Sequence, residues 1–296
     1  MSPEKTYTLE DLREWQCAAG THFAVAGHPV AHSLSPKMHN AAFAARGERD
    51  KCFFKFDIAP EDLSEALKLF FDKSFGGLNL TLPHKMLALP HLQNLTSAAR
   101  QIGAANTLFR EAGATAFSGT NTDGDGFCGA VSAAFPQLGK FDEISVLILG
   151  AGGAARAIAF ALAERGCKNL CICNRTESKA QSLVAAVKTA FPQAKIHCDK
   201  NCVPAGALLV NATSLGLHAD DESPFPRDEF VALCPSAVYD ITYGAHVPAL
   251  VKLAQEFNVP ASDGRAMLAW QGAMAENVWL GVPAESVVET MLNEIK

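Results

Sequence analysis

Apolar positions along this chain recur with two periods, and the changes of period mark its elements. The first twenty residues read as an added helix, with Thr8 as its cap and Asp11 answering as the third residue of a capping box. From Thr21 a strand–helix rhythm sets in. THFAVAG predicts a strand, PKMHNAAFAARG a helix, CFFKFDI a strand, and PEDLSEALKLFF a helix with proline in its first turn. GGLNLTL predicts a strand that stops at Pro83, and AANTLFR with AFSGT predicts a hairpin across EAGAT. A second series starts near Ile144. ISVLILG is a continuous apolar run, as a strand buried on both faces requires. GAGGAARAIAFALAERG follows as turn and helix, KNLCICN as a strand, ESKAQSLVAAVKTAF as a helix, and ALLVNATS and AVYDIT as strands. From Gly264 the tail is helical and is expected to pack back on the first domain.

Strands alternating with helices specify parallel sheets joined by right-handed crossovers. The fold class is therefore α/β in two domains: an open α/β domain over residues 1–122 plus 264–296, and a Rossmann-like doubly wound domain over 123–263. Residues 1–20 are an N-terminal extension of the first.

Composition narrows the function. The chain has 296 residues, 49% hydrophobic and 19% charged, which suits two packed cores rather than disorder. A net charge of −6 argues against a nucleic acid or an anionic membrane surface as partner. No apolar run approaches the roughly 20 residues of a membrane span, and the charged start MSPEKTYTLEDLREW does not read as a signal peptide. The nine cysteines show no paired CxxC framework. Cys171 and Cys173 are expected on opposite faces of a strand. Cys198 and Cys202 with His197 invite a metal reading, but small apolar filler in a reducing cytoplasm is the simpler one. The expectation is a cytoplasmic monomer or homodimer acting on a small molecule, with no metal.

Two groups of residues carry chemistry. Gly150, Ala151, Gly152, Gly153 and Ala154 follow a strand and open a helix, the context in which glycines let a backbone turn tightly against a pyrophosphate and offer it free N–H groups. The next strand ends at Asn174, where an NAD site usually offers an acid to the ribose 2′-hydroxyl. This chain offers Asn174, Arg175, Thr176 and then Lys179. A carboxylate repels a 2′-phosphate and a guanidinium binds it, so the cofactor expected is NADP.

The second group is polar and lies in the first domain. Ser35 before Pro36 reads as a helix N-cap, and Ser33 and Ser35, two apart in an extended segment, can turn both hydroxyls to one carboxylate. Asn79 and Thr81 share a strand face, with Lys85 just past the strand's carboxyl end, where open α/β sheets place ligands. Asn106, and Asp123 in the run Asn121-Thr122-Asp123-Gly124, form a third cluster. Asp123 before glycine also suits a plain turn, but its place at the domain junction favours a site role.

Eight motifs in this order, SLSP, NLTLPHK, GAANT, NTDG, GAGGAAR, NRT, NATS and DG…ML…QG, resemble the shikimate dehydrogenase family from about Thr21 to the C-terminus. The resemblance implies a substrate-binding first domain and an NADP-binding Rossmann-like second domain. It implies that Ser33 and Ser35 bind the substrate carboxylate, that Thr81, Asn106 and Gln271 hold ring hydroxyls, and that Lys85 and Asp123 are the catalytic pair. Gly150 to Ala154 are implied for the pyrophosphate and Asn174 to Lys179 for the adenosine phosphate. Tyr243 and Gly264 would line the cleft near the nicotinamide, Tyr243 on the substrate side and Ile241 with Gly264 on the cofactor side. The reaction implied is NADPH-dependent reduction of 3-dehydroshikimate to shikimate in aromatic amino acid and chorismate biosynthesis, with Lys85 giving the proton, Asp123 orienting it, and domain closure excluding water. Departures from the family pattern are Ser97 in place of an acid, Arg265 and Ala266 after Asp263-Gly264, and Glu276 in place of an apolar residue, the last three expected on a cleft-facing tail. Rival readings are a quinate or dual-specificity dehydrogenase on the same scaffold and a non-catalytic NADP sensor. An intact Lys85 and Asp123 argue against the sensor.

Overall fold

The computed structural model describes residues 2–16 and 20–296, so residue 1 and residues 17–19 of the expected N-terminal extension lie outside the described residues. Residue contacts divide the chain into two compact units, Met1–Thr122 with Gln271–Lys296, and Asp123–Trp270. The segment 264–270, expected with the first domain, groups with the second unit.

The first unit opens with β1 (Thr6–Tyr7), α1 (Leu9–Arg13), β2 (Thr21–Gly27), α2 (Ser35–Ala45), β3 (Lys51–Asp57) and α3 (Leu63–Asp72). It continues with β4 (Gly77–Leu80), α4 (His84–Leu87), α5 (Ser97–Ile102), β5 (Thr107–Phe109) and β6 (Ser118–Thr120). Its sheet runs β1-β3-β2-β4-β5-β6. The first four strands are parallel, and β5 and β6 form the expected hairpin, β5 antiparallel to β4. The extension is more than a helix: β1 adds an edge strand, and Tyr7 and Trp15 pack edge to face with their centroids 5.1 Å apart. Two residues are too few to show alternation, so the strand left no trace in the pattern. The capping box is present, with the Thr8 hydroxyl accepting from the Asp11 N–H and the Asp11 carboxylate from the Thr8 N–H.

The second unit contains α6 (Asp123–Ala134), β7 (Ser145–Leu149), α7 (Gly153–Glu164), β8 (Asn169–Cys173), α8 (Glu177–Ala190), β9 (Ile196–His197) and β10 (Leu208–Asn211). It ends with α9 (Arg227–Leu233), β11 (Ala237–Asp240), α10 (Ala249–Glu256), β12 (Ala261–Ser262) and the start of α11 (Arg265–Leu280). The rest of α11 and α12 (Val288–Ile295) belong to the first unit, where α12 packs on α2. The second sheet is wholly parallel in the order β12-β11-β10-β7-β8-β9. Chain direction across the sheet reverses between β7 and β10, the switch point at which doubly wound sheets open a crevice at their strands' carboxyl ends.

One local expectation is corrected. Cys171 and Cys173 lie on one face of β8 with their sulfurs 3.9 Å apart, because residues two apart in a strand share a face. Asp123-Gly124 is not a turn: Asp123 is the first residue of α6. Gly124 lets α6 approach α7, since a Cβ there would lie 2.5 Å from the Ala157 carbonyl oxygen. Among the described residues no helix is long and apolar enough to cross a membrane.

Candidate active site

In the second unit, the turn after β7 is shaped by its glycines. Gly150 has φ +113°, a value side-chain-bearing residues rarely adopt, and a Cβ on it would sit 2.7 Å from the Ala212 carbonyl oxygen. Its N–H donates to the Cys173 carbonyl at 2.7 Å, tying the turn to the end of β8. Gly152 caps α7 without a side-chain bond, and neither Gly152 nor Gly153 has an atom within 4 Å of the space a Cβ would fill. An uncapped 12-residue helix with a cleared N-terminus is the cradle a phosphate needs.

Beside it, Ala151, Arg156, Ser178, Lys179, Ser182 and Leu183 line a cleft of about 260 Å³. Asn174 turns the chain by donating to the Thr176 carbonyl at 2.9 Å, and Arg175, Thr176 and Lys179 are exposed at the start of α8. No carboxylate lines the cleft, so the residues present fit a dinucleotide that carries an extra phosphate. Arg156, which the sequence reading passed over, adds a second cation. Burial pulls its guanidinium below the ordinary arginine range. Its position in the second turn after the glycines was the available signal.

Ile241, Tyr243 and Gly264 come together in the same unit. A Cβ on Gly264 would collide with the Ile241 carbonyl and lie 3.0 Å from the Tyr243 ring, so glycine is required by close approach. Buried Asp240 holds this corner. It accepts from the Asn211 amide at 3.0 Å on both oxygens and from the Thr242 N–H at 2.9 Å, and burial pushes its carboxyl above the usual carboxylate range. The Arg265 guanidinium is bound to Asp263 and to the Gly244 carbonyl.

In the first unit, the candidate residues gather at the carboxyl ends of the adjacent parallel strands β2 and β4. The structure corrects two geometric expectations there. Leu34 is helical in conformation (φ −85°, ψ −5°), so Ser33 and Ser35 are not in an extended segment, and Ser35 is the first residue of α2 rather than its cap. The Ser33 hydroxyl takes the capping role, accepting from the Ser35 N–H at 3.3 Å, and the two serines still meet at a helix start. Thr81 lies past the end of β4, so it does not share a strand face with Asn79. Its methyl instead fills the space beside Gly27, while Asn79 bonds the Asn106 carbonyl and the Thr107 hydroxyl.

Asn106 is the hub. Its amide donates to the Thr122 hydroxyl at 3.0 Å and to the Gln271 side chain at 3.4 Å, and its carbonyl oxygen accepts from the Thr122 N–H at 2.8 Å. Lys85, half-buried in α4, is joined to this hub through the backbone, its carbonyl accepting from the Ala105 N–H at 2.8 Å. Asp123 follows Thr122 directly and is buried. Ser97 is exposed at the start of α5. Glu276, expected on a cleft-facing tail, is fully buried against His39 and Arg46 instead.

His84, beside Lys85, is also fully buried and pairs through Nε2 with the Ile58 carbonyl at 2.8 Å. Burial holds its imidazole below the ordinary histidine value. Above about pH 6.5 the imidazole is neutral in both states; below it the unfolded chain takes up a proton that the folded chain resists, so stability falls as pH drops through this window. His84→Gln keeps an N–H donor and removes the titration. Its melting temperature is expected to decline less than the parent's between about pH 7 and pH 5; identical slopes would count against this role.

The chain is similar to known proteins along most of its length. A family model described as the substrate binding domain of shikimate dehydrogenase matches residues 25–108, and one described as shikimate / quinate 5-dehydrogenase matches residues 132–217. The NADP(+) shikimate dehydrogenase of Moorella thermoacetica is 39% identical over 280 residues, covering 92% of each chain. A crystal structure of a shikimate dehydrogenase in complex with NADP+ superposes with a TM-score of 0.82 at 31% identity, over 95% of this chain and 98% of that one. The Thermus thermophilus enzyme, solved with NADP(H) and shikimate, gives 0.78 at 36% identity, over 93% of this chain and 99% of that one.

Proposed function

The chain belongs to the shikimate dehydrogenase family, and from that premise we propose that it interconverts 3-dehydroshikimate and shikimate with NADP, a step in aromatic amino acid biosynthesis. The observation that carries this reading is the set of polar side chains at the carboxyl ends of β2 and β4, where Lys85 is tied by its backbone to the Asn106–Gln271 hub. Ser33 and Ser35 at the start of α2 take the substrate carboxylate, the group that two hydroxyls at a helix start suit. Thr81, Asn106 and Gln271 take ring hydroxyls, and Tyr243 is a further substrate contact.

Reduction adds a hydride to the ketone carbon and a proton to its oxygen. NADPH, when bound, supplies the hydride. Gly150, Ala151, Gly152, Gly153 and Ala154 hold its pyrophosphate, Asn174, Arg175, Thr176 and Lys179 its 2′-phosphate, and Ile241 and Gly264 its remaining length. Lys85 stabilises the charge that develops on oxygen and gives the proton there; in the oxidative direction it takes the proton back. Asp123 is its catalytic partner. The eight described cysteines are free thiols, which supports a cytoplasmic setting.

Ser33→Ala tests the substrate assignment. Losing a hydrogen bond to a charged group costs roughly 1.5–3 kcal/mol, so KM for shikimate is expected to rise at least about tenfold. A KM within twofold of the parent would overturn the clamp.

A further inference from the structure

Beneath the candidate substrate site the first unit buries a carboxylate, an imidazole and a guanidinium in one cluster. Glu276 on α11 and His39 on α2 are both fully buried, and His39 Nδ1 meets Glu276 Oε1 at 2.8 Å. The other carboxylate oxygen lies 2.7 Å from the Arg46 guanidinium at the end of α2, and Arg46 also donates to Glu48 at 2.8 Å. The His39 ring is fixed by stacking on Phe53, centroids 4.2 Å apart and planes 6° from parallel.

This cluster stands one helical turn from residues assigned to the substrate. On α2, Ser35 and His39 are four residues apart and both buried, so they share a face. On α11, Gly272 and Glu276 are likewise four apart, and Gln271 immediately precedes Gly272. The two faces meet closely: a Cβ on Gly272 would collide with the Met38 methyl and lie 3.3 Å from His39 Nε2. A buried pair of polar side chains is seldom more stabilising than apolar side chains of the same volume. What it adds is direction, because a hydrogen bond fixes an angle where apolar contact does not. Rotation of α11 about its axis would carry Gln271 away from Asn106 and break the His39–Glu276 bond together.

We propose that Glu276 and His39 are positioning residues for the substrate: their buried bond locks α11 against α2 and so fixes Gln271 relative to Ser33 and Ser35. The proposal rests on the assignment of those three residues to the substrate. Neither Glu276 nor His39 touches a reacting group, so their effect falls on substrate KM rather than on the chemical step.

The test is a set of variants read by steady-state kinetics and melting temperature. Glu276→Leu removes the acceptor at similar volume. A misplacement of about 1 Å in a binding group costs up to 10²-fold, and a rise of about tenfold in KM for shikimate is expected, with kcat and KM for NADP changing less than about threefold. Glu276→Gln keeps an oxygen for His39 or Arg46 and is expected to stay within about threefold of the parent. The double variant His39→Phe with Glu276→Leu leaves Arg46 paired with Glu48 and removes the unpartnered imidazole, so it is expected to be more stable than the single variant. Its melting temperature is expected to recover toward the parent's while its shikimate KM stays high. A double variant whose KM returns with its stability would reduce the pair to a packing role, and a folded Glu276→Leu variant with KM within twofold of the parent would overturn the proposal. Ser33→Ala, measured alongside, separates the two layers: if it raises KM and the Glu276 variants do not, only the positioning role fails; if it does not, the substrate assignment fails first.

Discussion

Replacing Lys85 with alanine is expected to lower kcat by about 10²–10⁴-fold, the usual worth of one acid–base group. The expectation follows from where the lysine is held. Its neighbour His84 is buried and bonded to the Ile58 carbonyl, and its own carbonyl accepts from Ala105, one residue before the Asn106 hub. The ammonium is thus carried on backbone anchored from two sides, which limits the reorganisation needed when charge develops on the substrate oxygen. KM for NADP should change little, since every residue assigned to the cofactor lies in the second unit. Lys85→Arg separates the two roles. A guanidinium keeps the positive charge but does not release its proton near neutral pH, so the arginine variant should recover substrate binding without recovering kcat. An alanine variant that keeps more than about a third of kcat in assays limited by chemistry would remove Lys85 as the proton donor.

Arg175→Ala is expected to raise KM for NADP by roughly 10- to 100-fold and to leave KM for NAD nearly unchanged. Gly150 is bonded to the carbonyl of Cys173, so a pyrophosphate held at the start of α7 lies beside the end of β8. The residues that follow, Asn174 to Lys179, then meet the 2′ position. They bring donors and two cations, and the cleft lined by Arg156 and Lys179 has no carboxylate to repel a phosphate. Because Arg175 and Lys179 are exposed, the preference for NADP should shrink as ionic strength rises. Equal losses for NADP and NAD would mean that Arg175 does not contact the 2′-phosphate.

The parallel sheets and their helices could be read from the sequence because each long strand and helix carries its own period: VLIL is apolar throughout and ESKAQSLVAAVKTA repeats every three to four residues. The two-residue strands β1, β9 and β12 could not, since their identity lies in what they pair with. Glycines were legible where they follow a strand, as at Gly150. Gly124 was not, nor was the close approach that demands glycine at 264, because each is dictated by a distant backbone, that of Ala157 and that of Ile241. Ser33 and Ser35 meet at a helix start and not, as their spacing suggests, along an extended segment, because the chain between them is helical. Glu276 shows the limit most clearly. An isolated acid in an apolar helix reads as surface, and only the fold brings His39 and Arg46, more than 200 residues away, to its carboxylate.

The assignment of shikimate and NADP to this enzyme is tested most directly by one set of initial rates from the purified protein at low salt: shikimate and quinate, each with NADP and with NAD. It predicts that kcat/KM is highest for shikimate with NADP, by about tenfold or more over quinate and about 10²-fold over NAD. Equal efficiency with the two cofactors, or a rate with quinate that matches or exceeds the rate with shikimate, would contradict it.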